Sequence, residues 1–147
     1  MVANNLITNS GIIDDRYASY EKAAITVMGS KVVSSATYSG GSGGLPVGEY
    51  PCDTVTVKNN LLDLKEGSGV RVEHSKTISV DSNVIYCTKT SATANYYGVV
   101  FRDGVNPANI TKNYISNPAV NGIHIDSCTL NYISGNEIIS AGKYGMG

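Results

Sequence analysis

The 147-residue chain has no tryptophan and a single phenylalanine. It also lacks any charge excess. Eleven basic residues stand against 12 acidic ones, a formal net charge of −1, which excludes a protein drawn to nucleic acid by bulk charge. No apolar run approaches the roughly 18 residues that cross a bilayer, so no membrane span is expected. Cysteine is scarce, and Cys52, Cys87 and Cys128 show no CxxC or Cys/His spacing. Three thiols cannot all pair within one chain. Buried thiols are expected, with one disulfide as the alternative, and neither metal nor cofactor is called for. The polar start "MVANNLITNSG" is not a signal peptide.

What is abundant points one way. Sixteen glycines, ten tyrosines, many Asn, Ser and Thr, and short Val/Ile pairs describe a strand- and turn-rich chain. The phrase "SGVRVEHSKTISVDSN" (68–83) is nearly rewritten as "NGIHIDSCTLNYISGN" (121–136). Gly69, Gly98, Gly122 and Gly145 each open such a phrase, 29, 24 and 23 residues apart. Asn60, Asn83, Asn113 and Asn136 form a second series, spaced 23, 30 and 23. The excess falls between Asn83 and Gly98, in "CTKTSATANYY". Upstream, "AITVMGSKVVSS" from Ala24 matches "GVRVEHSKTISV", and "TVTVKNN" matches "TISVDSN".

A period of about 23 residues with three short strands and no consistent helical spacing predicts a triangular coil. Coils stack about 4.8 Å apart, the spacing of paired strands. Alternate apolar residues point inward, where no single repeat buries them alone. An Asn at the same corner of every coil can bond its neighbours above and below. The Gly-apolar-x-apolar and Asn-x-Ile/Val phrases resemble the right-handed parallel β-helix proteins of the pectate-lyase-like superfamily, over roughly 24–35 and 54–147 plus 1–10. The resemblance implies an all-β solenoid of about five to six coils. It also implies extracellular or surface-associated localisation and a glycan groove along the first strand of each coil. One domain over 1–147 is expected, with insertions at about 11–22, 36–53 and 87–97. "NNLITNSG" reads as the end of one coil and "YGMG" as the start of another. The expectation is therefore a piece of a longer solenoid, with adjoining coils or a homo-oligomer covering the ends.

Period-two reading of the first strands turns certain side chains outward. Stacking then gives the columns Thr26/Arg71/Val100/His124, Met28/Glu73/Arg102/Asp126 and Gly29/His74/Asp103/Ser127. The insertions flank this face and carry Tyr17, Tyr20, Tyr38, Tyr50, Tyr96 and Tyr97, rings suited to stacking on sugars. Glu73 and Asp126, two coils apart, are expected roughly 9–10 Å from each other, and Glu73 and Asp103 about 6 Å. Inverting glycosidases need carboxyls about 6.5–9.5 Å apart. A lyase or epimerase would need a base, His74 or His124, and a cation, Arg71 or Arg102.

The expected function is thus polysaccharide processing outside the cell. Glu73, Asp126, His124 and Asp103 are the catalytic candidates. Arg71, His74, Arg102, Tyr96 and Tyr97 are the candidates for binding a polysaccharide or oligosaccharide. The alternative is a non-catalytic carbohydrate-binding or structural β-helix, in which Glu73, Arg102 and Asp126 form a surface salt ladder. The Asn-Thr-Asp and Asp-Asp pairs of polygalacturonases are absent, as are the Asp-Pro-His of epimerases and a lyase-like Asp cluster. No family catalytic residue carries over.

Overall fold

The computed structural model describes residues 1–10, 23–32, 48–50, 52–88, 96–105 and 107–147. Within them the chain builds three parallel sheets of five strands each. Sheet A holds Val2–Ala3 (β1), Cys52–Lys58 (β6), Ser75–Asp81 (β9), Ala108–Thr111 (β12) and Leu130–Ser134 (β15). Sheet B holds Leu6–Ser10 (β2), Leu61–Leu64 (β7), Val84–Cys87 (β10), Tyr114–Ser116 (β13) and Glu137–Ile139 (β16). Sheet C holds Ala23–Met28 (β3), Ser68–Glu73 (β8), Val99–Arg102 (β11), Asn121–Ile125 (β14) and Tyr144–Met146 (β17). The chain visits A, B and C in turn. Each strand pairs with the strand three elements away, except where one extra pair intervenes. This is the expected parallel β-helix.

The extra pair is Ser30–Val32 (β4) with Gly48–Tyr50 (β5), joined antiparallel. Here the sequence reading needs correction. "SKVVSS" resembles the sheet A phrase "SKTISV", yet Ser30–Val32 leaves the solenoid. The sheet A place goes to β6, in register with β9. Ser30–Val32 and Gly48–Tyr50 thus both lie outside the three parallel sheets. Most of the three insertions, with Tyr17, Tyr20 and Tyr38, lies outside the described residues.

Inward columns fill the core. Val57, Val80 and Ile110 align in sheet A, Leu62, Ile85 and Ile115 in sheet B, and Val70, Val99 and Ile123 in sheet C. All are buried, each contributing roughly 2 kcal/mol by removal from water. Val2, Ile7, Ile133 and Ile138 continue the columns of sheets A and B into the first and last turns and are only partly buried. Cys87 lies in this core, and burial pushes its thiol up to about 12. It should resist alkylation in the native protein and react once the chain is unfolded in denaturant, with mass spectrometry reporting the label. Labelling of Cys87 at the unfolded rate under native conditions would contradict its place in the core.

Two devices hold the corners. At the A-to-B corner a residue in the left-handed region (Asn4, Asn59, Ser82, Lys112 or Gly135) precedes an Asn in every turn. Those Asn residues make the expected ladder, extended by Asn5. Each Asn donates its backbone N–H and one side-chain N–H to the Oδ1 of the Asn in the next turn. The side-chain bonds are 2.9 Å at all four steps. The other side-chain N–H reaches back to a carbonyl of the preceding turn: Asn83 to Val57 O at 3.0 Å, Asn113 to Val80 O at 2.9 Å. The second device is the glycine column. A Cβ on Gly69 would lie 2.6 Å from Gly98 O and 2.7 Å from Ile85 Cγ2. Sheets B and C meet too closely there for any side chain.

Candidate functional site

The outward columns of sheet C form as the spacing predicts. Thr26, Arg71, Val100 and His124 are register partners, as are Met28, Glu73 and Arg102. Asp126 lies just past β14, its amide donating to Phe101 O at 2.9 Å. His74, Asp103 and Ser127 share the next corner, all with positive φ. His74 N–H donates to Asp103 O at 3.2 Å, and Gly104 N–H to Ser127 O at 3.0 Å.

Outward does not mean open, and this is the main correction to the sequence reading. Every residue of β8 is buried, Arg71 and Glu73 being 7% exposed. The two are joined to each other along one strand, with Arg71 Nε 2.7 Å and Nη2 2.6 Å from Glu73 Oε1. Glu73 is therefore not a free acid or base, and it does not form the rung of a salt ladder with Arg102. Tyr96 and Tyr97 are also covered, each 6% exposed. They pack with Val100, Ala119 and Val120 as a second apolar cluster on the outside of sheet C. A sugar cannot stack on rings so enclosed. Glu73→Gln should therefore lower stability, on the order of 3–5 kcal/mol for a buried ion pair that loses a partner. It should leave glycan binding unchanged at temperatures where the variant is folded. Denaturant titration and calorimetry check both halves.

Of the candidate residues, those that remain accessible lie in a strip at the end of sheet C. His124, His74 and Arg102 are half-buried, and Asp103 and Asp126 are exposed. Its floor is the Tyr97 ring. His124 stacks on it with centroids 4.5 Å apart and planes 13° from parallel, and the Arg102 guanidinium lies 5.7 Å from its centroid. Asn121, which the sequence reading missed, approaches His124 Nδ1 with its side-chain nitrogen at 3.4 Å. It occupies the place just before Gly122, where other turns carry Ser68 and Tyr97. Burial lowers the His124 pKa, Arg102 lowers it further, and Asp126 partly opposes them. At neutral pH the ring is uncharged.

A lowered pKa fixes the sign of a pH effect. The unfolded chain takes up a proton at the ordinary value of 6.5, before the folded chain does, so His124 makes the fold lose stability as pH falls through that value. The His124→Gln variant should resemble the parent near pH 7.5 and lose less melting temperature by about pH 5.5. Parallel pH profiles of the two would contradict this.

Fold and strip together define a parallel β-helix that carries its accessible chemistry on the ends of one sheet. A family model described as "Periplasmic copper-binding protein (NosD)" matches residues 1–147. The chain belongs to that family, whose members are right-handed parallel β-helices. The family's periplasmic description agrees with the expectation of a protein acting outside the cytoplasm. No curated protein and no solved structure matches the chain.

Proposed function

We propose that this chain is an extracytoplasmic β-helix that binds a glycan along the sheet C strip without cleaving it. The observation that carries the reading is the stacked arrangement of donors and acceptors. Arg102 and His124 project from adjacent turns at positions set by strand registers, and Asp103 and Asp126 follow directly at the ends of the same two strands. Sugar hydroxyls need donors and acceptors side by side, and preorganised ones lose little entropy on binding. Binding is favoured over turnover because Glu73 is committed to Arg71, which removes the carboxylate on which the paired acid–base expectation depended.

The family description brings copper to this chain as a second candidate ligand. Among the described residues, no three His, Cys, Asp or Glu side chains converge on one point. Structural and catalytic metal sites ordinarily require three or four such donors. The described residues thus present no His, Cys, Asp or Glu cluster that would hold copper.

Glycan-array binding, run beside reducing-end and unsaturated-uronate assays, tests the reading. Binding with no turnover is expected. Turnover that disappears in Asp103→Asn or Asp126→Asn would return the protein to the enzymes. Absence of binding to any glycan would remove the proposal.

A further inference from the structure

Arg102 is an unusual cation on this face. Its register neighbour Glu73 is bound to Arg71. Its Nε is buried and has no hydrogen-bond partner among the described residues. The guanidinium lies instead against the Tyr97 ring, the same ring that carries His124. Asp126 accepts a bond from Ser127 Oγ at 3.0 Å, and it and Asp103 are exposed.

We propose that Arg102 and His124, which share the Tyr97 ring, form a subsite for one carboxylate of an acidic sugar. The inference rests on the glycan reading above and names the sugar class. A guanidinium offers a planar fork of donors that matches a carboxylate, and an imidazole beside it can add a second N–H. An unmet buried donor is costly, so a ligand that draws the Arg102 side chain into a carboxylate contact relieves a cost already present.

The surrounding charges agree. The charged groups acting on His124 are Arg102 from β11 and Asp126 beyond β14. Asn121 adjoins the ring, and Tyr144 of β17 is in register with Asn121. Arg102 acts on His124 more strongly than Asp126 does, so of these two charges the cation dominates at the ring. A bound carboxylate adds a negative charge there and favours the imidazolium. Binding should therefore take up a proton at His124 and tighten as pH falls, by linkage between the two equilibria.

The test uses the whole chain, hexuronate oligosaccharides, and the same oligosaccharides after reduction of their carboxyls. Calorimetry should show at least about tenfold tighter binding of the charged form, and NMR should show the His124 pKa rising by about one unit on saturation. Arg102→Gln should abolish the preference and the shift, and Arg102→Lys should keep part of both, which separates loss of charge from loss of fold. Equal binding of the two oligosaccharides by the parent protein overturns the carboxylate subsite while leaving the glycan reading standing. Binding of neither overturns both.

Discussion

Replacing Asn83 by Leu should cost on the order of 4 kcal/mol, far more than its volume suggests. Asn83 is fully buried and works in two directions. Its Oδ1 accepts from Asn60 N at 3.1 Å and Asn60 Nδ2 at 2.9 Å. Its own amide donates to Asn113 Oδ1 at 2.9 Å, to Val57 O at 3.0 Å and to Asp81 O at 3.1 Å. Leucine fills the space but strands the two Asn60 donors and removes the side-chain donors that Val57 O, Asp81 O and Asn113 Oδ1 accept from. Each buried group left unmet costs about 1–3 kcal/mol. The effect should be graded along the ladder. Asn136 is only half-buried, so Asn136→Leu should cost well under half as much. Denaturant unfolding of the two variants checks the gradient. Equal, small losses at both positions would mean that the ladder is not a structural spine.

The second large effect is at Gly98. A Cβ there would lie 2.4 Å from Ile115 Cγ2 and 2.6 Å from Gly122 O. The methyl must displace both a core side chain and the backbone of the next turn, which the strand pairing holds. Gly98→Ala should cost on the order of 3 kcal/mol, and Gly98→Val should prevent folding. Gly145, in the same column but in the last turn, supplies the control. Its nearest neighbour would be 4.0 Å away, so Gly145→Ala should be nearly neutral. The pair separates steric contact between sheets B and C from any general need for glycine. Circular dichroism melts of the three variants read it directly.

The columns were legible in the sequence because stacking turns a period into an address. Once residues about 23 apart are neighbours, the partners of Arg71, Val100 and His124 follow without further information, and the Asn series finds its corner. Three things were not legible. Strand alternation says which side chains leave the core, not whether something else covers them. Arg71 and Glu73 therefore read as solvent-facing although both are buried. Val100 was the available sign, an apolar residue in an outward place next to "YYG". The fate of "SKVVSS" was hidden for a related reason. Its pattern suits sheet A, but Ser30–Val32 pairs antiparallel with Gly48–Tyr50 instead. Pairing between Arg71 and Glu73 was likewise obscured, because a stacking picture looks for partners across turns rather than two places along a strand.

Amide chemical-shift mapping of the isotope-labelled chain with a saturating acidic oligosaccharide tests the binding face most directly. Perturbations should concentrate at Arg102, Asp103, His124 and Asp126, at the ends of strands β11 and β14. The outside of sheet B offers the competing surface, with Tyr86 45% exposed and Tyr114 meeting it edge-on at 5.9 Å. Shifts confined to those tyrosines and their neighbours would place the ligand on the wrong sheet and end the case for the sheet C strip.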